Sequence, residues 1–342
     1  MTATAFDLAR TIREVRQTGE TFGVLLRRTL PATVEQLWRA CTESDPLSRW
    51  LGRIEGDVSS GEFTLVMPVS SADDVRTQIT VLRCDQPSRL DVRWSFDGAD
   101  SVVSARIQPD GSGACLTIEH FALTQESGIG CGPGWDEFLA DLEDMLTGRP
   151  RQHDCGDLEQ QCEAVWQGLP RLADHRFGEV DRDGGRYTIR RLYPVGADRL
   201  WTAITTREGL ASWFGSASGR LEPHGEWRID FSNGHVHGRV ESCEPGRSLR
   251  TTFRQGIDPE TAASHRVEAS VEAVDGGSRL TLTHICPDRS AEGLLEGLAA
   301  GWVAHLNGLG SALDGADPDE QAWLADFSTA RLVHRRGESP TT

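Results

Sequence analysis

Hydrophobic positions along the chain predict two kinds of element that follow one another in a fixed order. In residues 34–41, Val, Leu, Trp and Cys keep the i, i+3, i+4, i+7 spacing of a helix with one apolar face. In residues 90–96, Leu, Val, Trp and Phe alternate with polar side chains, as in a strand buried on one side. Asp-Gly pairs at 110–111 and 275–276 mark hairpins between such strands. These patterns predict an α+β fold with a mostly antiparallel sheet.

The whole order of elements occurs twice. Residues 27–52 align without a gap on residues 190–215, and the two segments share two arginines and then Pro, Leu, Trp, Ala, Thr, Leu, Trp and Gly. Later matches keep the same order: LTIEH at 116–120 with LTLTH at 280–284, and Gly-Trp at 134–135 with Gly-Trp at 301–302. Because each copy has the size of a domain, we interpret the chain as a tandem duplication and not as a solenoid of short repeats.

Each copy is predicted to open with a strand and to close with a long helix. The opening strands are 22–30 and 186–193, and the closing helices have apolar stripes that run through 135–146 and 295–313. We therefore divide the chain into five parts: an N-terminal helix within 1–21, domain 1 at 22–147, a linker with a helix at 148–185, domain 2 at 186–314, and a C-terminal helix and tail at 315–342. Asp317 is the expected N-cap of the last helix.

Composition narrows the functional classes. The 342 residues carry a formal net charge of −17, which argues against nucleic acid and against anionic membrane surfaces as partners. All basic residues are arginine, so Schiff-base chemistry on lysine is excluded. No apolar run reaches the length of a membrane span and no signal peptide is apparent, so the expected location is the cytoplasm. The eight cysteines form no CxxC pair, which indicates free thiols and no structural zinc.

The motifs of each copy resemble one known family. Domain 1 contains RTLPATVEQLWRACT at 28–42, RWLG at 49–52, the LTIEH strand and the Gly-Trp pair before the last helix. These features are similar to the SRPBCC or START-like superfamily, and within it to the activator-of-heat-shock-protein-ATPase homologues. Domain 2 departs at Tyr193, Val195 and Phe214 but keeps the tryptophans and His284.

This resemblance implies two tandem helix-grip domains, in each of which a curved antiparallel sheet wraps around the long C-terminal helix and leaves an apolar cavity between them. Members of the superfamily include lipid and hormone carriers, polyketide aromatases and cyclases, self-resistance proteins and chaperone co-factors. Such a range means that the fold alone does not identify the function.

Two histidines are the weak candidates for catalysis. His120 and His284 occupy equivalent positions, and each follows apolar residues at period two, so each is expected on the apolar face of its sheet. A histidine there can act as a general base or orient a polar group of a ligand. The alternative is a structural histidine at the end of a strand.

Apolar and aromatic residues are the candidates for lining the cavity. They are predicted to face the interior between sheet and helix, where they either contact a ring-containing ligand or belong to the ordinary core. With the two histidines, the candidate ligand-binding residues are Trp94, His120, Trp135, Leu139, Phe253, His284, Trp302 and Leu306.

Two further motifs carry weaker signals. His235 and His237 share one face of a predicted strand, but copy one has no matching ligands, so we predict a polar strand and no metal. The glycine-rich run at 128–134 precedes the long helix of copy one and is predicted to be a flexible lid or an entry loop over the cavity, with the pKa of Cys131 lowered by the helix N-terminus. Because copy two lacks this run and its helix is expected to begin near Ser290, we expect the larger cavity in copy one.

Three functional hypotheses follow. The first is binding of an apolar small molecule, aromatic or not, in one or both cavities, without metal or cofactor. The second is a cyclase, aromatase or dehydratase that acts on a polyketide-like substrate, or self-resistance by sequestration of a toxic natural product. The third is a protein-interaction module like the chaperone co-factors. The terminal helices are candidates for bracing the two domains or for a homodimer interface.

Overall fold

A computed structural model describes residues 8–67, 74–151, 157–231, 234–256, 265–287 and 294–335. Within this part of the chain, two compact units are separated between Ala173 and Asp174. We call them domain 1 and domain 2. The segment predicted as a linker therefore divides, with its helix in domain 1 and its last residues in domain 2. No helix among the described residues has both the length and the apolar character needed to cross a membrane.

Domain 1 is built on one sheet of nine strands. The sheet order is β3-β4-β5-β6-β7-β8-β2-β1-β9, and all neighbours are antiparallel except β1 and β9. The strands are β1 (Ile12–Thr18), β2 (Thr21–Leu30), β3 (Arg53–Asp57), β4 (Glu62–Met67), β5 (Val75–Asp85), β6 (Arg89–Phe96), β7 (Ala99–Asp110), β8 (Gly113–Leu123) and β9 (Arg171–Ala173). The helices are α1 (Val34–Thr42), α2 (Ser44–Leu47), α3 (Gln125–Thr147) and α4 (Asp157–Gln167).

Domain 2 is built on one sheet of eight strands. The sheet order is β10-β11-β17-β16-β15-β14-β13-β12. The strands are β10 (Glu179–Asp181), β11 (Arg186–Tyr193), β12 (Ser216–Gly219), β13 (Glu226–Phe231), β14 (Gly234–Glu244), β15 (Ser248–Gln255), β16 (His265–Val274) and β17 (Gly277–Ile285). The helices are α5 (Ala197–Thr205), α6 (Arg207–Ala211), α7 (Leu294–Leu313) and α8 (Glu320–His334).

The predicted α+β duplication is confirmed by strand order. The run β3-β4-β5-β6-β7-β8-β2 in domain 1 has the same connectivity as β12-β13-β14-β15-β16-β17-β11 in domain 2. A side-chain detail repeats as well: the indole N–H of Trp50 donates to the Ala40 carbonyl at 2.9 Å, and that of Trp213 donates to the Ala203 carbonyl at 3.0 Å. Each domain also has its long helix at the end of the repeat, as expected for two helix-grip domains.

Local sequence explains why the first helix of the repeat forms where it does. Thr33 caps α1, its hydroxyl accepting from the Gln36 backbone while the Gln36 side chain accepts from the Thr33 backbone N–H. The apolar positions of the predicted stripe then bury Leu37, Trp38 and Cys41 against the sheet. The helix ends at Thr42, because Glu43 adopts an extended conformation.

The prediction of an N-terminal helix within residues 1–21 is wrong for residues 12–18, although Leu8–Arg10 form one 3₁₀ turn. Residues 12–18 form β1, which pairs with β2 through a tight turn, while residues 1–7 lie outside the described residues. Val15 is buried in this arrangement, but Ile12 remains 46% exposed. The apolar residues at 8, 12 and 15 fit a helical spacing, yet pairing with the edge of β2 satisfies a full row of backbone groups that the edge would leave open.

The glycine-rich run at 128–134 is also corrected, because it is helical and not a loop. Thr124 caps α3 by accepting from the Ser127 backbone, so the helix begins ten residues before Trp135. Gly132 lies under the indole of Trp166 from α4, where an added Cβ would meet the ring at 2.4 Å. Glycine therefore allows the two helices to approach closely. The predicted start of α7 near Ser290 lies outside the described residues.

The C-terminal helix begins two residues later than predicted. Asp319, not Asp317, is the N-cap of α8, and its carboxylate accepts from the backbone N–H groups of Gln321 and Ala322. This helix packs on α7 of its own domain, with the Trp323 indole directed at His305.

Buried ion pairs fasten α3 to the sheet in domain 1. Arg28, 1% exposed on β2, donates through Nε and Nη2 to one oxygen of Glu143 at 2.9 and 2.6 Å. Arg13 on β1 donates through Nε and Nη2 to both carboxylate oxygens of Asp136 at 2.7 to 3.2 Å. Buried charges of this kind are stable only when paired.

In domain 2, hydrogen bonds without a counter-charge join the sheet to the long helix α7. Arg191 has the strand position of Arg28, but its Nη2 donates to the amide oxygen of Asn307 at 3.2 Å and its Nε is buried without a partner. Burial lowers the pKa of Arg191. The Tyr193 hydroxyl donates to the Leu306 carbonyl at 2.9 Å, and its ring lies beside Gly310.

Candidate functional site

All eight residues predicted from the sequence lie in the interior between a sheet and its long helix. The structure brings them together as two groups of four, one in each domain, and every member is buried. The domain 1 group is Trp94 on β6, His120 on β8, and Trp135 and Leu139 on α3. The domain 2 group is Phe253 on β15, His284 on β17, and Trp302 and Leu306 on α7.

In domain 1 a chain of hydrogen bonds passes through His120. The Trp135 indole N–H donates to His120 Nδ1 at 3.2 Å, and His120 Nε2 lies 2.8 Å from Ser101 Oγ. Since Nδ1 accepts, the neutral ring carries its proton on Nε2 and donates to Ser101, whose hydroxyl donates to the Trp94 carbonyl at 3.1 Å. Burial lowers the pKa of His120 to about 3, so the ring stays neutral near pH 7.

In domain 2 the corresponding chain is longer. The Trp302 indole N–H donates to His284 Nδ1 at 2.8 Å, and His284 Nε2 lies 3.0 Å from His265 Nδ1. His265 Nε2 in turn lies 3.4 Å from Cys286 Sγ. Burial, followed by the neighbouring His265, lowers the pKa of His284 to about 3. Both ring nitrogens of His120 and of His284 are therefore engaged with protein groups.

Aromatic rings surround these histidines. In domain 1 the Trp94 ring centroid lies 5.7 Å from His120 and 5.9 Å from Trp135. In domain 2 the Phe253 centroid lies 5.0 Å from His284 and 6.1 Å from Trp302. Trp94 and Phe253 occupy the same register position, opposite Ser101 and His265 respectively. Tilted and edge-on arrangements at these separations are typical of a packed aromatic core.

A second group of aromatic residues in domain 2 is only half-buried, and no sequence pattern singled it out as a site. We call it the aromatic cluster: Trp213, Phe214, Phe231, His305 and Trp323. From the His305 ring, the centroids of Phe214, Trp323, Phe231 and Trp213 lie at 4.5, 5.3, 6.1 and 6.4 Å. Trp213 and Phe214 stack at 5.0 Å and 13°. The cluster thus presents ring surface that its own packing leaves partly open.

His305 is the polar centre of the aromatic cluster. Its Nδ1 accepts from the Trp323 indole N–H at 3.3 Å. Burial lowers the pKa of His305 to about 4, so the ring is neutral near pH 7. The buried Trp302 links this cluster to the His284 chain, with its centroid 5.5 Å from Phe214.

The equivalent positions of domain 1 have a different character. The repeat alignment and the strand register identify the domain 1 residues that are equivalent to the first four members of the cluster. They are Trp50 for Trp213, Leu51 for Phe214, Met67 for Phe231 and Phe138 for His305. Trp50 and Leu51 are buried. Domain 1 thus has two aliphatic side chains where domain 2 has two phenylalanines, and a phenylalanine where domain 2 has His305.

Comparison with protein families decides the classification. The sequence profile of activator of Hsp90 ATPase homolog 1-like proteins matches residues 31–147 and 194–314, which is well over half of the chain. The chain belongs to this family. Both matched regions fall in the predicted copies, so each domain of this AHSA1-family protein is a family unit.

Solved structures give further similarities. CalU16 from Micromonospora echinospora is 28% identical over 46% of this chain and 97% of that chain, with a TM-score of 0.40. DynU16, from the dynemicin biosynthetic locus, is 16% identical over 92% of this chain and 99% of its own, with a TM-score of 0.34. The Aha1 dimer from Colwellia psychrerythraea is 19% identical over 37% of this chain and 95% of that chain, with a TM-score of 0.34. Comparison with curated proteins gives no significant match.

The remaining sequence candidates of this family member do not join either group. His235 and His237 lie on β14 with ring centroids 5.7 Å apart, and the described residues contain no set of three or more His, Cys, Asp or Glu placed to hold a metal ion. Cys131 lies inside α3, where burial and then Glu159 raise its pKa to about 11, contrary to the predicted lowering.

The members of the aromatic cluster stand in separate parts of the sequence. Trp213 and Phe214 belong to the repeat, Trp323 belongs to the C-terminal helix, and His305 follows Trp302 by one helical turn. His305 on α7 packs on the rings of Trp213, Phe214 and Phe231, and the docking of α8 on α7 adds Trp323.

Proposed function

We propose that domain 2 binds an apolar small molecule with a planar aromatic or conjugated ring system at the aromatic cluster. The observation that carries this proposal is the partial exposure of Phe214, Phe231 and His305 within a group of rings that already contact one another. Ligand pockets are lined mainly by apolar and aromatic side chains with few polar groups, and the cluster has this composition.

The chemistry of the cluster favours an uncharged ligand. Its one titratable member, His305, is neutral near pH 7 and already hydrogen-bonded. The contacts described for it are with rings, none of which offers a counter-charge. Affinity then comes from burial of apolar ring surface and from stacking, which are worth most for a flat, uncharged molecule.

Domain 2 is preferred over domain 1 for this role. The expected larger cavity in copy one depended on a flexible loop at 128–134, and that segment is part of α3. At the cluster positions domain 1 has Leu51, which is buried, and Met67 in place of the two phenylalanines. Such side chains pack a core well but offer no stacking surface.

The two buried histidines favour ligand binding without catalysis. A general base needs a ring nitrogen within hydrogen-bond reach of its substrate. His120 and His284 each use both nitrogens within the protein, and both are buried. A cyclase, aromatase or dehydratase mechanism that uses either residue would first have to break one of these bonds.

The proposal is tested with Nile red, a neutral planar dye whose fluorescence rises in apolar sites. We expect saturable binding that weakens at least tenfold in the double variant Phe214→Ala, Phe231→Ala. The matched control is Leu51→Ala, Met67→Ala at the equivalent positions of domain 1, which leaves dye affinity unchanged; chelation by EDTA also has no effect. Dye binding that is lost in the domain 1 variant and kept in the domain 2 variant contradicts the proposal, as does the absence of saturable binding.

A further inference from the structure

The hydrogen-bond chain that begins at Trp302 reaches the sulfur of Cys286. Cys286 follows β17, and its backbone N–H donates to the Gly185 carbonyl at 2.8 Å, which fixes the residue. Its side chain is buried, with Sγ 3.4 Å from His265 Nε2. His265 is half-buried at the start of β16, so solvent reaches the residue that is hydrogen-bonded to Cys286.

The direction of this chain follows from the indole. Tryptophan has an N–H donor and no acceptor, so His284 Nδ1 accepts and the neutral His284 ring carries its proton on Nε2. That proton points at His265 Nδ1, which must accept it. The neutral His265 ring therefore carries its own proton on Nε2 and directs it at Cys286 Sγ. Three N–H donors in series thus end on a sulfur acceptor.

A sulfur that accepts an N–H hydrogen bond is favoured as thiolate over thiol, because the bond is stronger to the charged form. Thiolate is the nucleophilic form of cysteine. Buried Cys41 of domain 1 gives the contrast, since burial is the one cause that acts on it and raises its pKa to about 12. The equivalent positions of His265 and Cys286 in domain 1 are Ser101 and Ala122, so the arrangement is specific to domain 2.

We propose that Cys286 is a nucleophilic thiol that adds to soft carbon electrophiles of the α,β-unsaturated carbonyl class. The imidazole N–H of His265, oriented through His284 and Trp302, holds the sulfur in its reactive state. This inference goes beyond ligand binding at the aromatic cluster and does not depend on it.

The reaction balances without a further reagent. The Cys286 thiol loses its proton to solvent, and the thiolate electron pair forms a C–S bond at the β-carbon of the electrophile. The C=C π bond breaks and its electrons form an enolate, which takes a proton from solvent at the α-carbon. The product is a saturated thioether adduct, with no change in the number of electrons or protons overall.

The first test uses the native wild-type chain and N-ethylmaleimide, an electrophile of this class. Peptide mapping by mass spectrometry gives a labelling rate for each cysteine in the same sample. We expect Cys286 to react at least tenfold faster than Cys41, although both are buried. We also expect its rate to rise at lower pH than that of exposed Cys84, whose pKa is raised by partial burial and Asp85. Among the described residues, the titratable groups that share the hydrogen-bond chain with Cys286 are His265 on β16 and His284 on β17.

The second test uses variants. His265→Phe lowers the Cys286 rate at least tenfold, whereas His265→Gln retains most of it, because glutamine can both accept from His284 and donate to sulfur. Trp302→Phe lowers the rate because the chain loses its fixed direction, while Trp135→Phe in domain 1 leaves it unchanged. Labelling of half-buried Cys243 reports whether a variant has unfolded domain 2. A Cys286 rate no higher than that of Cys41, or an equal rate in the His265→Phe and His265→Gln variants, overturns the proposal.

Discussion

The indole N–H of Trp135 donates to Nδ1 of His120, so the long helix of domain 1 is hydrogen-bonded to the middle of its sheet. The same bond joins Trp302 to His284 in domain 2. Both partners are buried in each case, so neither has water as an alternative partner. The bond fixes the tautomer of each histidine as well as the position of each helix.

The contribution of this bond to stability can be separated from that of the ring. Trp135→Phe keeps most of the apolar surface but leaves His120 Nδ1 without a donor, which we expect to cost about 1–3 kcal/mol. Trp135→Ala also opens a cavity and should cost about 3–5 kcal/mol. Chemical denaturation measures both. A Trp135→Phe variant as stable as the wild type would show that the hydrogen bond contributes nothing beyond the ring.

Arg28 and Arg191 predict opposite changes in stability when the charge of the residue that each one binds is changed. Glu143→Gln removes the counter-charge of Arg28, which is 1% exposed, and we expect a loss of about 3–5 kcal/mol in domain 1. Asn307→Asp adds a counter-charge beside Arg191, whose Nε has no partner, and should leave domain 2 as stable as before or more stable. Denaturant midpoints of the two transitions provide the measurement. Destabilisation by Asn307→Asp would contradict this interpretation of Arg191.

Much of the fold could be predicted from the sequence because the same pattern of elements occurs in both copies of the repeat. Apolar spacing predicted α1 from Val34 and placed Trp94, His120 and Trp135 in the interior, and the structure confirms these placements. Short-range patterns of this kind are properties of one element and its buried face.

The errors concern segments whose conformation depends on distant partners. The apolar residues of 12–18 have a spacing compatible with a helix, but these residues form a strand that pairs with β2. The run at 128–134 contains four glycines and a proline, yet it is helical where Trp166 packs on Gly132. The aromatic cluster and the Cys286 chain likewise require the docking of separate elements, which no local pattern encodes.

The close packing at Gly132 gives a prediction with an internal control. Gly132→Ala places a methyl group within the Trp166 ring, so α4 must shift, and we expect a loss of about 1–3 kcal/mol. Gly130→Ala, in the same helix, meets nothing within 4 Å and should stabilise domain 1 by about 0.5–1 kcal/mol through helix propensity. Thermal denaturation compares the two variants. A similar effect of both substitutions would mean that α4 does not constrain α3.

The buried histidines predict that acid destabilises the native state. His120 and His284 each have a pKa near 3 when folded, against an ordinary value of 6.5 that applies to the unfolded chain. Between these values the unfolded state binds more protons than the native state, so the free energy of unfolding falls as pH falls from 6.5 towards 3 and is unaffected by these groups above 6.5. Each histidine contributes a slope of about 1.4 kcal/mol per pH unit within that window.

We expect His120→Gln to remove one such increment from the domain 1 transition, because glutamine does not titrate, while it also loses part of the bond to Trp135. His175→Gln, an exposed substitution in domain 2, is the control, because it should leave the domain 1 transition unchanged. Denaturation at about pH 7.5 and about pH 5 measures the difference. An unchanged pH dependence in His120→Gln would show that burial does not lower the pKa of His120 in the folded protein, and it would contradict this prediction.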